Sequence, residues 1–193
     1  MSASHSAVIS AIGRGFDGLD VPALAKDLGA ELIRLEDFDA TVAAVLAEAP
    51  AAENIVAQGT GDIAFDAEVA AALGLPLAII SGAPQRTGEL AQHNAESLGA
   101  TVAGIFTDLE AVPGALAALG DVSPVMSADL FQKQLIDQAR AAGSHIVLPE
   151  GDDDRILEAA HVLLRDKVAK LTILGNEADI KARAEELLSL IHI

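Results

Sequence analysis

The stretch His145-Ile146-Val147-Leu148-Pro149-Glu150-Gly151-Asp152-Asp153 decides the fold of the C-terminal part of the chain. A short, mostly apolar run is followed by a proline, a glycine and carboxylates, which is typical of a strand that ends in a loop. Helical spacing continues over Asp153–Arg165, and a second apolar run follows at Leu171–Leu174. Strand, helix and strand in this order predict a βαβ unit with two parallel strands.

Helices are predicted on both sides of this unit. A leading helix over Ala128–Ala142 carries an apolar face, with Ser127 as its N-cap and Gly143 as its stop. A trailing helix begins after Asn176, another good N-cap. The helix inside the unit is expected to be capped by Asp152. The C-terminal part therefore has the order α-βαβ-α.

Two parallel strands do not make a finished domain, because parallel sheets are stable almost only when several strands are covered on both faces. We therefore expect the natural protein to continue beyond this chain. The last six residues, 188–193, abruptly replace the polar pattern of 181–186. They can be read as the codons CTG-TCT-CTT-ATA-CAC-ATC, which resemble a transposon adapter of sequencing libraries. We interpret 188–193 as such an artefact, with an ordinary apolar helix end as the alternative.

The N-terminal part of the chain alternates short apolar runs with helical stretches, which predicts an α/β domain with a parallel sheet. The predicted strands are Ala7–Ile12, Glu31–Leu35, Asn54–Ala57, Leu77–Ile80 and Val102–Phe106. The predicted helices are Pro22–Leu28, Phe38–Glu48, Ala64–Leu73 and Gly88–Leu98. Residues 121–124 are typical of a linker. We therefore place a boundary near Val125, between an accessory domain over 1–125 and a second domain over 126–193.

Charge and composition exclude several classes of protein. The 193 residues include 12 basic and 29 acidic side chains, a net charge of -17 that would repel a nucleic-acid backbone. Absence of Trp and Tyr also leaves few platforms on which bases could stack. Absence of Cys excludes disulfides, thiolate zinc sites and cysteine nucleophiles.

Mean hydropathy is +0.39, but no apolar stretch approaches the roughly 20 residues of a membrane-spanning helix. The N-terminus lacks the basic region of a signal peptide. We expect a soluble cytoplasmic protein that binds neither nucleic acid nor membrane.

Two blocks of the C-terminal part carry a resemblance to a known family. Residues 145–160 read HIVLPEGDDDRILEAA, and residues 171–180 read LTILGNEADI. With the leading helix, they resemble the opening of the phosphate acetyltransferase/phosphate butyryltransferase family, in the right order and spacing. The resemblance runs from Phe131 to Leu187 and covers only the start of the family's catalytic region.

The N-terminal part resembles, more weakly, the accessory region that precedes the catalytic region in some bacterial members and is similar to dethiobiotin synthetase. The similar stretches are 54–59, 77–82, 88–98 and 101–106. The phosphate-binding motif G-x-x-x-x-G-K-S/T is missing, because Gly13-Arg14-Gly15-Phe16-Asp17-Gly18 is followed by Leu19-Asp20. We therefore expect a degenerate accessory domain that does not bind ATP in the usual mode.

The resemblance implies reversible acetyl transfer between acetyl-CoA and phosphate, giving acetyl phosphate and CoA. It implies a homo-oligomer when intact and no cofactor beyond CoA and acetyl-CoA as substrates. The family's catalytic Ser, Arg and Asp lie downstream of the matched segment, so no catalytic residue is named here and the fragment is expected to be inactive. The alternatives are a phosphate butyryltransferase and a non-catalytic regulatory or nucleotide-sensing α/β module.

Arg155 is the residue to which the resemblance assigns a role, because its position matches a family arginine implicated in CoA binding. It lies at the edge where open α/β sheets bind ligands, and arginine can grip phosphate oxygens bidentately. The alternatives are surface pairing with Asp152 or Glu158, and orientation by Glu150. The run Asp152–Asp154 is contiguous and lacks EF-hand spacing, so we predict no metal site.

A second hypothetical anion site lies in the N-terminal part at Gln85-Arg86-Thr87-Gly88. This stretch follows a predicted strand and opens a predicted helix, whose N-terminus favours negative charge.

Overall fold

A computed structural model describes residues 5–82 and 85–191, without the side chains of the last four. The strands are β1 (Ala7–Ile12), β2 (Glu31–Arg34), β3 (Ile55–Gln58), β4 (Leu77–Ser81), β5 (Val102–Phe106), β6 (His145–Leu148) and β7 (Lys170–Ile173). The helices are α1 (Val21–Asp27), α2 (Val42–Glu48), α3 (Ile63–Leu73), α4 (Gln85–Ser97), α5 (Val112–Leu119), α6 (Ala128–Ala142), α7 (Asp154–Arg165) and α8 (Glu177–Ile191). The α/β class predicted from the sequence is confirmed. Within the described residues, no helix is both long and apolar enough to cross a membrane.

The chain forms two compact units, Met1–Phe131 and Gln132–Ile193, called unit 1 and unit 2 below. In unit 1, five parallel strands lie in the order β2-β3-β1-β4-β5. The central strand β1 is buried along its whole length. Its side chains alternate between the two faces of the sheet, as a strand requires.

Both faces of the unit 1 sheet are covered. Helices α2, α3 and α4 pack on one face, and α1 and α5 pack on the other. This division follows from the strand order, because right-handed connections that run in opposite directions along a sheet place their helices on opposite faces. The sheet therefore has the two-sided cover that parallel strands need.

A buried carboxylate in unit 1 links helix α3 to strand β1 and to the loop that precedes α3. Asp66 on α3 is fully buried and accepts hydrogen bonds from Ser10 Oγ of β1 at 2.6 Å and from the backbone N–H of Thr60 at 2.8 Å. Burial raises the pKa of Asp66, although these donors favour its charged form. Gly59 is required beside it, because a Cβ there would lie 2.3 Å from Asp66 Oδ2.

Three helices of unit 1 differ from the sequence prediction, and one of them is α4, which begins at Gln85 instead of Gly88. The predicted helix Phe38–Glu48 begins only at Val42, where the Thr41 side chain accepts from Ala44 N–H and sets the start. Helix α5 was not predicted at all. Its sequence contains Pro113 and Gly114, yet a proline in the first helical turn is tolerated because the N–H it lacks has no partner within the helix anyway.

The segment predicted to be a linker lies against unit 1. Val125 donates its backbone N–H to the carbonyl oxygen of Ala71 at 2.8 Å. Leu130 is buried in a small cluster with Leu46 and Ala72. Unit 1 therefore extends six residues past Val125, where the sequence placed its boundary.

Unit 2 contains the predicted βαβ arrangement, with β6 and β7 parallel and paired from His145–Lys170 to Leu148–Ile173. The predicted caps Ser127 and Asn176 are confirmed, because their side chains accept from Leu130 N–H and Ala178 N–H. Among the described residues of unit 2, none covers one face of this two-stranded sheet. Its residues His145, Val147, Lys170 and Thr172 are all exposed.

We predict that unit 2 is the less stable of the two, because its strands have cover on one face only. Limited proteolysis of the whole chain should cut first within residues 132–187 and leave a protected fragment that contains unit 1. Mass spectrometry of the products identifies the fragment. Early cuts within the β1–β5 sheet, with a surviving fragment from unit 2, would contradict this order.

Candidate functional site

A cleft of about 580 Å³ opens at the carboxyl ends of β6 and β7 in unit 2. This edge of a parallel sheet is where open α/β folds bind ligands. The loops after the two strands and one face of α8 line it. The lining residues are Pro149, Gly151, Asp152, Leu174, Gly175, Asn176, Asp179, Ile180 and Arg183.

Two glycines let the strand-end loops and α8 come close together. A Cβ on Gly151 would lie 2.5 Å from the carbonyl oxygen of Leu174 and 2.7 Å from Ile180 Cδ1. A Cβ on Gly175, whose φ is 151°, would lie 2.9 Å from the same atom of Ile180. Larger residues at either position would force α8 away from the loops.

The wall of the cleft that α8 supplies follows helical periodicity. Asn176, Asp179, Ile180 and Arg183 all line the cleft, at spacings of three, four and seven residues from the first. Residues so spaced lie on one side of a helix. The N-cap Asn176 therefore presents an amide, and one stripe of α8 presents a carboxylate, an apolar group and a guanidinium, to the same space.

The cap of α7 is Asp153, so the prediction of Asp152 was wrong. The side chain of Asp153 accepts from Arg155 N–H at 2.9 Å, and its backbone is extended, as that of a capping residue is. Asp152 lies one residue too early to reach the free N–H groups of the first turn. Its side chain belongs to the lining of the cleft instead.

Arg155 lies beside the cleft and outside its lining. Its guanidinium donates to Asp153 through Nε at 3.1 Å and through Nη2 at 2.6 Å, and its side chain is 87% exposed. Asp153 is therefore the partner that the structure gives it, where the sequence suggested Asp152, Glu158 or Glu150. The Arg155 hydrogen bonds lower the pKa of Asp153 from 3.8 to about 2.

Arg183 is the cleft residue that sequence reasoning missed. Its Nε and Nη2 donate to the two carboxylate oxygens of Asp154 at 2.7 and 2.6 Å, and its Nη1 donates to Glu186 at 2.7 Å. The hydrogen bonds to Arg183 lower the pKa of Asp154. The sequence could have predicted the contact of Arg183 with Glu186, because residues three apart on a helix are neighbours. It gives no signal for the contact with Asp154, which is 29 residues away along the chain.

Electrostatically, the cleft itself is acidic. Its lining carries the carboxylates of Asp152 and Asp179 and one guanidinium, that of Arg183, which is already paired. An anionic ligand would therefore need cations from the rim or from outside the unit. Among the described residues, no group of three or more His, Asp and Glu side chains is arranged to hold a metal ion.

In unit 1, the loop after β1 lies over the neighbouring strand end. Arg14 donates through Nη1 to the carbonyl oxygen of Thr107 at 3.3 Å and through Nη2 to that of Asp17 at 3.0 Å. Its aliphatic stem packs so closely on Gly82 that a Cβ there would lie 2.9 Å from it. An arginine thus covers the sheet edge at which a phosphate-binding loop would leave room for phosphates.

The second candidate anion site opens α4. Gln85 is the first residue of that helix, and its amide donates to Glu89 at 3.0 Å. Arg86 is exposed. Residues 83–84, which complete the loop, lie outside the described residues.

Comparison with known proteins covers the C-terminal third of the chain. Residues 130–193 match the sequence profile of the family described as phosphate acetyl/butaryl transferase. The phosphate acetyltransferase of Corynebacterium glutamicum is 61% identical over 62 residues, which are 32% of this chain and 19% of that protein. The phosphate acetyltransferase of Escherichia coli K12 is 42% identical over 65 residues, 34% of this chain and 9% of that protein. No solved structure matches.

We predict that the low pKa of Asp153 depends on Arg155. Carbon-detected NMR titration of the chain should give Asp153 a pKa of about 2, and Arg155→Ala should return it towards 3.8. Because the folded-state pKa is lowered, the stabilisation by this pair is present above pH 3.8 and is lost as the pH falls towards 2. Arg165→Ala is the control, since Arg165 pairs with Asp166 at the other end of α7. A pKa near 3.8 for Asp153 in the unmodified chain would contradict the pairing.

Proposed function

Since residues 130–193 belong to the phosphate acetyl/butaryl transferase family, we propose that unit 2 is part of the active-site domain of a phosphate acetyltransferase. The reaction is reversible acetyl transfer between acetyl-CoA and phosphate. The observation that carries the proposal is the match of residues 130–193, which contain the whole cleft, to the family profile, together with 61% identity to a phosphate acetyltransferase over 62 residues. The matched segment is less than a fifth of that relative's length, so the activity of the whole protein is part of the proposal.

In the proposed chemistry, a base removes the proton of the CoA thiol, and the thiolate attacks the carbonyl carbon of acetyl phosphate. Hydrogen-bond donors stabilise the tetrahedral oxyanion, which collapses to acetyl-CoA and releases phosphate. The groups that act on the reacting atoms are proposed to come from outside the matched segment. CoA and acetyl-CoA are substrates in this scheme, and no other cofactor is needed.

Arg155 is proposed to bind a phosphate group of CoA at the rim of the cleft. Its guanidinium is exposed and already makes a bidentate contact with a carboxylate, the geometry that a phosphate also offers. Exposed ion pairs contribute little to stability, so exchange of Asp153 for a phosphate costs little. The acidic lining of the cleft favours a position for the CoA phosphates outside it, on this rim.

Acetyl is proposed as the acyl group in preference to butyryl, because the relatives described above are acetyltransferases and because unit 1 precedes the family segment. We also propose a cytoplasmic location and a homo-oligomeric state for the intact enzyme. A further copy or a further part of the same domain would cover the bare face of β6 and β7.

We predict that the 193-residue chain alone does not catalyse acetyl transfer, because the groups that act on the reacting atoms are proposed to come from outside the matched segment. The assay follows thioester formation from CoA and acetyl phosphate against a blank without protein. Turnover that a substitution within this chain abolishes would contradict the prediction. It would also favour an active site built by the chain itself.

The functional test of Arg155 uses a chimera. The matching 62-residue stretch of the Corynebacterium glutamicum enzyme is replaced by that of this chain, and acetyl transfer is expected to persist. In the chimera, Arg155→Ala should raise the KM for CoA by roughly 10- to 150-fold, because it removes a charge-assisted contact with an anion. Arg155→Lys should recover only part of this, since a point charge does not reproduce a bidentate grip.

Two comparisons make this test decisive. The KM for acetyl phosphate should stay within about twofold in Arg155→Ala, and so should both constants in the control Arg165→Ala. A folded Arg155→Ala chimera with an unchanged KM for CoA would end the binding assignment. A folded chimera without activity would instead favour a non-catalytic module.

A further inference from the structure

Arg183 joins two helices that carry the two sides of the candidate site. It lies in the middle of α8 and grips Asp154, the first residue of α7, through two hydrogen bonds of 2.7 and 2.6 Å. About half of each side chain is exposed, at 46% and 44%. Bidentate geometry and the additional bond to Glu186 make this a network, the case in which a surface pair has a measurable effect.

Asp154 lies between Asp153 and Arg155, the two residues that we call the rim of the cleft. Asp153 before it caps α7 and holds the guanidinium of Arg155, which follows it. A grip on Asp154 therefore restrains the turn from which Arg155 projects. One turn earlier on α8, Ile180 packs against Gly151 and Gly175, so a single stripe of this helix fixes both the strand-end loops and the start of α7.

We infer that Arg183 is a positioning residue for CoA binding, acting through Asp154 to hold the first turn of α7 and thereby Arg155. This inference rests on the proposed function. Within the described residues, the first turn of α7 makes no other long-range hydrogen bond. The loss of Arg183 would let the turn move while leaving Arg155 and its charge in the protein.

Direct binding of CoA by Arg183 is the competing role, and Asp154 distinguishes the two. If Arg183 bound a phosphate itself, Asp154→Asn would release its guanidinium and tighten CoA binding. If Arg183 positions the turn, Asp154→Asn and Arg183→Gln break the same contact. The two substitutions should then weaken CoA binding alike, and the double variant should be no worse than either single one.

The test measures KM and kcat in the chimera. Arg183→Gln and Asp154→Asn should each raise the KM for CoA about two- to fivefold, with kcat and the KM for acetyl phosphate unchanged. The charge-exchanged variant Asp154→Arg/Arg183→Asp should restore part of the loss. The control pair is Arg165 and Asp166, which have nearly the same contact, at 2.7 and 3.0 Å, at the far end of α7. Arg165→Gln and Asp166→Asn should leave every constant unchanged.

A second measurement uses the 193-residue chain itself. Amide hydrogen exchange of residues 155–157 should become faster in Arg183→Gln and in Asp154→Asn than in the unmodified chain and the controls. Unchanged exchange would overturn the restraint of the turn, and a rise in KM for CoA in Arg183→Gln alone would overturn the positioning role. An inactive but folded unmodified chimera would count against the proposed function, whereas an active one with unchanged variants would count against this inference alone.

Discussion

Parallel strands need cover on both faces, and this constraint shapes both units. In unit 1, helices pack on the two faces of a five-stranded sheet and leave its central strand buried throughout. In unit 2, the two strands have cover on one face, and the other carries the exposed side chains of Val147 and Thr172. Such a face is unusual for parallel strands, which are normally covered on both sides.

The cleft of unit 2 arises from close backbone packing more than from large side chains. Gly151 and Gly175 allow the two strand-end loops to meet beside Ile180. The same stripe of α8 then carries Arg183 to Asp154. Because apolar contact and ion pair lie on one stripe, a displacement of α8 would alter the loops and the start of α7 together. The shape of the cleft and the position of its rim therefore depend on each other.

The charges of this region are arranged so that binding of an anion competes with existing pairs. Arg155 holds Asp153 and Arg183 holds Asp154, and each carboxylate has a pKa below its ordinary value. A phosphate that binds Arg155 must replace Asp153, and it meets an acidic cleft behind it. The proposed CoA phosphate would therefore have to displace a carboxylate and bind beside a cleft whose own lining is acidic.

The sequence by itself determined the features that depend on neighbouring residues. Strand-helix alternation, the caps Ser127 and Asn176 and the family resemblance of residues 131–187 all rest on local hydrogen bonds or on order along the chain. It did not predict α5, whose sequence contains Pro113 and Gly114, and it placed the cap of α7 at Asp152, one residue before its actual position. The error at Asp152 concerns only the end of a helix, where a shift of one residue costs little, whereas at α5 a whole helix was missed.

Tertiary structure alone decided the order β2-β3-β1-β4-β5, the extension of unit 1 to Phe131 and the partners of the two arginines. Arg155 could pair with any of several nearby carboxylates, and which one it reaches depends on how α7 begins. Arg183 meets Asp154 only because β6 and β7 pair in parallel and bring two helices together across 29 residues. Contacts of that kind leave no periodic signal in a sequence, since they depend on the packing of whole elements.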